Sequence, residues 1–94
     1  MSENQPSRYS VLFSGNVQGV GFRFTTSAIA KHYDVSGYVR NLPGGQVELV
    51  AEGNCDELDR FLAALRQRMQ DFIRNVKIDQ SSATHEFSSF TIRT

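Results

Sequence analysis

Apolar and polar residues alternate through Tyr9–Ser14, where Tyr9, Val11 and Phe13 are interleaved with Ser10, Leu12 and Ser14. A period of two with one mainly apolar face predicts a β-strand buried on one side. From Phe22 the spacing lengthens. Phe22, Ile29, Ala30 and Tyr33 fall on one helical face with Thr26 between them, which predicts a helix from Phe24 to Tyr33, ended by Asp34 to Gly37. Tyr38–Asn41 and Gln46–Glu52 read as two strands, joined by Leu42-Pro43-Gly44-Gly45, a turn by composition. Val47, Leu49 and Ala51 share one strand face, and Gly53 closes the strand. Asn54 has the character of a helix N-cap, with Glu57 completing a capping-box pattern. Leu58, Phe61, Leu62, Leu65 and Met69 follow at helical spacing and predict a second amphipathic helix. After a connection at Gln70–Arg74, Val76 and Ile78 mark a fourth strand. Phe87, Phe90 and Ile92 suggest a last one, with Ser81–Glu86 as loop.

The order is β-α-β-β-α-β. Two right-handed crossovers are most simply closed as an antiparallel sheet with both helices packed on one face, an α+β, ferredoxin-like sandwich. The 94 residues suit one domain, residues 8–94, preceded by a polar, Pro6-containing tail at residues 1–7 that is expected to be flexible. This topology places the first loop and the start of the first helix at one sheet end, where Asn41 can come alongside. The fold hosts many functions and selects none of them.

Composition narrows the function. Ten basic residues balance ten acidic ones, which argues against nucleic-acid or membrane-surface binding driven by bulk charge. No run reaches transmembrane length, and Met1–Ser7 lacks the apolar core of a signal peptide. Cys55 is the single cysteine, so no internal disulfide forms, and a cytoplasmic monomer with an inert thiol is expected. His32 and His85 read as structural or solvated, and two histidines with one cysteine give no metal-ligand spacing. Neither a metal nor a cofactor is expected.

The chemistry concentrates in Gly15-Asn16-Val17-Gln18-Gly19-Val20-Gly21-Phe22-Arg23. A strand, a Gly-rich loop and a helix N-terminus aim several backbone N–H groups at one point, an anion site made of main chain. Arg23 adds a guanidinium fork suited to phosphate. A positive charge in a helix's first turn opposes the macrodipole, which favours an external anion as its partner. A Walker A loop requires Gly-Lys-Ser/Thr where Gly19-Val20-Gly21 stands, and a dinucleotide fingerprint requires glycine at Phe24. The pattern therefore favours a smaller phosphate-bearing anion over ATP or NAD. On its residue type alone Asn41 reads first as a hairpin residue. Arg40 is expected on the opposite strand face, exposed.

Gly15-x-Val17-Gln18-Gly19-Val20-x-Phe22-Arg23, then Gly37-x-Val39-x-Asn41, then Gly45-x-Val47 and Glu52-Gly53, resemble the acylphosphatase family over roughly Ser10–Arg93. The connection Met69-Gln70-Asp71-Phe72-Ile73 departs from the Gly/Pro-containing segment that members often carry there. The resemblance implies a small, metal-free hydrolase that cleaves the carboxyl-phosphate anhydride of acyl phosphates, with inorganic phosphate as product and inhibitor. It implies phosphate binding by Arg23 and by the backbone of Gln18, Gly19, Val20, Gly21 and Phe22, and a water oriented by Asn41. Two other readings compete: a non-catalytic anion-binding module on the same sandwich, and a single-stranded RNA binder. The latter ranks last, because Gln46–Glu52 offers no aromatic platform and carries two glutamates.

Overall fold

A computed structural model describes residues 6–94. The elements are β1 (Ser7–Gly15), α1 (Phe22–Ala30), β2 (Ser36–Asn41), β3 (Val47–Gly53), α2 (Cys55–Arg68), β4 (Ile73–Ser82) and β5 (Phe90–Arg93). The expected tail lies mostly outside the described residues. Ser7 already belongs to β1, paired with Gly53 and Ser82.

The five strands form one sheet in the order β4-β1-β3-β2-β5. Alternation reads out as expected: Tyr9, Val11, Phe13, Val47, Leu49 and Ala51 are buried in a single cluster. From α2, Leu58, Phe61, Leu62, Leu65 and Met69 pack into the same core, as do Phe22 and Ala30 of α1. Phe13 meets Phe22 with ring centroids 4.9 Å apart, and Phe61 meets Phe90 at 5.7 Å. Such pairs add about 0.5–1.5 kcal/mol beyond the area they bury. The fully buried Thr26 donates its hydroxyl to the Phe22 carbonyl at 2.8 Å, so the core carries no orphaned hydroxyl there.

Three expectations change. The sheet is mixed, because β5 pairs with β2 in parallel, Gly37 opposite Phe90 through Arg40 opposite Arg93. The chain leaves β4 at one sheet edge, crosses below the sheet in residues 83–89 and rises along the other edge, which sets the direction of β5. Phe87 therefore sits in this crossing and not in the last strand; its ring lies edge-on to Tyr38, centroids 5.8 Å apart. Finally, the capping box does not form. The Asn54 side chain makes no capping hydrogen bond, and Glu57 instead accepts from the Asp34 N–H at 2.8 Å and pairs with Arg60. The carboxylate that would have closed the box holds the α1–β2 loop.

The crossing segment is anchored on Glu52, 5 % exposed. Its Oε2 accepts from Arg8 Nε at 2.8 Å, from Thr84 N at 2.9 Å and from the Thr84 hydroxyl at 3.0 Å; its Oε1 accepts from His85 N at 3.0 Å. Burial works to raise this carboxyl's pKa, but the four donors prevail and hold it at about 2. Arg8 also meets Glu86 at 2.6 Å.

Candidate active site

At the sheet end opposite Glu52, β1 runs out at Gly15 and the chain enters the glycine-rich loop. Its register against β4 slips between Ser14 and Gly15, and the Asn16 N–H then donates to the Phe72 carbonyl at 2.9 Å. The α2–β4 connection thus supplies the loop's first anchor. Val17, fully buried, is the second. The third is the Gln18 side chain, whose Nε2 donates to the carbonyls of Leu42 and Gln46 at 2.9 and 2.8 Å. Those carbonyls belong to the turn that follows Asn41, so one amide ties the loop to the hairpin. Gln46 adds a contact of its own, Nε2 to the Ser14 hydroxyl at 3.0 Å.

Beyond these anchors the backbone opens. Gly19 and Gly21 have φ of +80° and +77°, and a Cβ built on either meets nothing within 4 Å. Conformation demands glycine here, and the space above it stays free for an approaching group. Gly21, in the left-handed region, is the N-cap of α1, which starts at Phe22 and not at Phe24. Glycine offers no capping side chain, so the first-turn N–H groups look outward. Among the described residues, no backbone N–H from Gln18 to Phe24 donates to a protein acceptor.

Arg23 is the second residue of α1, and Asn41 the last of β2. A cleft of about 250 Å³ brings them together with Gly19, Gly21 and Phe22. Val17, Phe24 and Ile92 complete its lining. Within the described residues the Arg23 guanidinium has one weak partner, the Arg93 carbonyl at 3.4 Å, and the Asn41 carboxamide has none. An unsatisfied cation at the positive end of a helix, beside unsatisfied N–H groups, forms a local field that a small anion balances.

Of the loop residues named from sequence, Gln18 and Val20 stay out of the cleft with their side chains. Gln18 faces the hairpin, and Val20 packs against the core. Arg40 is taken by Glu48 at 2.6 Å, with its guanidinium 6.0 Å from the Tyr38 ring centroid. The Cys55 thiol lies 3.2 Å from the Ser7 hydroxyl, at the far end of the sheet. Among the described residues, no three His, Cys, Asp or Glu side chains converge as a metal site, and no helix is long and apolar enough to cross a membrane. A larger cavity of about 400 Å³ lies beside the crossing segment, but its buried carboxylate, Glu52, is fully paired.

Phe24 and Ile92 were not legible as site residues. The available signal was that Phe24 is a large apolar residue off the buried face of its helix.

Residues 9–92 match the family model described as Acylphosphatase. The chain belongs to the acylphosphatase family. Acylphosphatases are hydrolases acting on acid anhydrides, and this chain is one by family. The acylphosphatase of Methanospirillum hungatei is 43 % identical over 88 residues, covering 92 % of this chain and 96 % of that protein. The acylphosphatase of Salinibacter ruber is 37 % identical over 94 residues and covers 99 % of each chain. Among solved structures, the acylphosphatase from Bacillus subtilis superposes with a TM-score of 0.84 at 27 % identity, covering 94 % of this chain and 99 % of that one.

Proposed function

We propose that this acylphosphatase binds the phosphoryl group of an acyl phosphate between Arg23 and the N–H groups of Gln18–Phe22, and that Asn41 aims the attacking water. The observation that carries the reading is the single cleft that holds an underused guanidinium, free helix-terminal N–H groups and an unpartnered carboxamide.

An acyl phosphate is already activated, since its leaving group is a carboxylate. The catalyst has to gather the charged phosphoryl group, stabilise the charge that spreads over its oxygens and orient water at phosphorus. Fixed N–H donors and a guanidinium do the first two without reorganising. A carboxamide does the third, because it both donates and accepts hydrogen bonds. It cannot take up the water's proton, and the substrate's own phosphate oxygen is the acceptor in this scheme. Products are a carboxylate and inorganic phosphate.

The test is hydrolysis of acetyl phosphate by the purified chain and by Arg23→Ala. Turnover in the parent and a loss of about 10³-fold in the variant, with an unchanged melt, support the reading. Phosphate binding without turnover in the parent means an anion-binding module instead. Near-parental turnover in a folded Arg23→Ala protein refutes the assignment of Arg23.

A further inference from the structure

The free N–H groups and Arg23 account for the phosphoryl end of a substrate. They leave unexplained why apolar side chains line the rest of the cleft. The inward face of α1 is Phe22, Thr26 and Ala30. Phe24 lies off that face, 74 % exposed, directly after Arg23 in the chain. Ile92 of β5, 44 % exposed, lines the same cleft. Single exposed hydrophobic residues are ordinary on protein surfaces. Here, however, two of the three large hydrophobic residues exposed among the described residues, Phe24, Ile78 and Ile92, line this one cleft. They are clustered at the site, not scattered.

Resting on the phosphoryl site proposed above, we infer that Phe24 and Ile92 form an acyl-group subsite, and that it selects acyl phosphates with a neutral, apolar acyl group the size of a single ring. Charge supports the first half. Arg23 is the single charged residue lining the cleft among the described residues, and the phosphoryl group engages it. A second carboxylate or phosphate on the acyl group finds no cation left and would have to be desolvated against Phe24 and Ile92. An aryl group instead covers apolar surface that water now touches, and its ring can pack on the Phe24 ring. Size supports the second half. At about 250 Å³ the cleft falls below the usual range of about 300–1,000 Å³ for pockets holding drug-sized ligands. A phosphoryl group and one ring suit that space; a nucleotide-sized acyl carrier does not.

The experiment compares kcat/KM for benzoyl, acetyl and succinyl phosphate in the parent, Phe24→Ala and Phe24→Lys. Leaving-group reactivity is the same for each substrate in every variant, so it cancels when substrate ratios are compared between proteins. The benzoyl-to-acetyl ratio should fall about tenfold in Phe24→Ala, equivalent to about 1.4 kcal/mol, with most of the change in KM for benzoyl phosphate. Phe24→Lys should lower the same ratio and raise succinyl over acetyl phosphate. Phe24 is outside the core, so thermal melts should stay within a few degrees of the parent. Ratios that do not move in either variant overturn the acyl subsite while leaving the phosphoryl site standing. Failure of the parent on all three substrates overturns the hydrolytic reading of the cleft on which the inference rests, and the inference with it. If Phe24→Ala changes the sedimentation of the chain and not its substrate ratios, the patch is a contact between copies and the inference is wrong.

Discussion

Replacing Glu52 by Gln should destabilise the protein in a way that disappears in acid. The carboxylate accepts four hydrogen bonds and donates none, so both oxygens face donors. Glutamine keeps the shape, but its amide NH₂ must point either at Arg8 and Thr84 or at the His85 N–H. Either orientation sets donor against donor. The wild-type carboxyl titrates at about 2 in the fold against an ordinary value of 4.5, a difference of about 2.5 units. At about 1.4 kcal/mol per unit, this corresponds to about 3 kcal/mol of stability from the ionised form. The folded value is the lower one, so the contribution is fully present above pH 4.5 and is lost as pH falls toward 2. Urea melts of both proteins from pH 7 to pH 2, followed by far-UV circular dichroism, should show a gap of about 3 kcal/mol at neutral pH that closes on acidification. Acetyl phosphate turnover at pH 7 should be retained in the folded variant, because Glu52 and the cleft lie at opposite ends of the sheet. A gap that is absent at neutral pH, or that persists unchanged in acid, would refute the account of how residues 83–89 are held.

Other outcomes follow from the site. Arg23→Lys should remain poor with acetyl phosphate, since a point charge replaces the fork that holds two oxygens at once; steady-state kinetics beside the Ala variant decides it. Asn41→Asp should lose most of its kcat/KM with little change in melting temperature, because a carboxylate repels the phosphoryl group and lacks the NH₂ donor. Full activity in that variant would make Asn41 a turn residue only. Inorganic phosphate should inhibit competitively and raise the melting temperature, by about 2.7 kcal/mol of stabilisation at a hundredfold excess over its Kd. Gln18→Leu should cost about 1 kcal/mol in a urea melt, because it removes one of two donors from each of the Leu42 and Gln46 carbonyls, which keep the Gly45 and Leu42 N–H groups. The same variant should lower kcat/KM by loosening the loop against the hairpin.

Strict alternation made β1 and β3 legible, and the spacing from Leu58 to Met69 made α2 legible. In each case one burial face dominates the choice of residues. The direction of β5 was not legible. It depends on a crossing held by Glu52, which the sequence offers as part of the Glu52-Gly53 motif without any sign that its carboxylate accepts from Thr84 and His85. Glu57 misled for a similar reason: its spacing from Asn54 is that of a capping box, yet the Asp34 N–H, brought close only by the tertiary fold, claims the carboxylate. At the site, Arg23 and Asn41 were named from sequence and lie in one cleft. The work of the Gln18 side chain was hidden, because its acceptors are main-chain carbonyls and carry no sequence signature.

The short strand β5 divides its residues between two tasks. Phe90 packs on Phe61 and secures the strand to the core, whereas Ile92 stands exposed at the cleft. A substitution at Ile92 changes the wall of the cleft without opening a cavity in the core, and the same holds for Phe24 on α1. Cavity formation accounts for many of the most destabilising substitutions in proteins. These two positions escape it, so with the acyl subsite proposed above, substrate range can drift under selection, or be moved by design, while the margin of stability and the glycine-rich loop stay as they are.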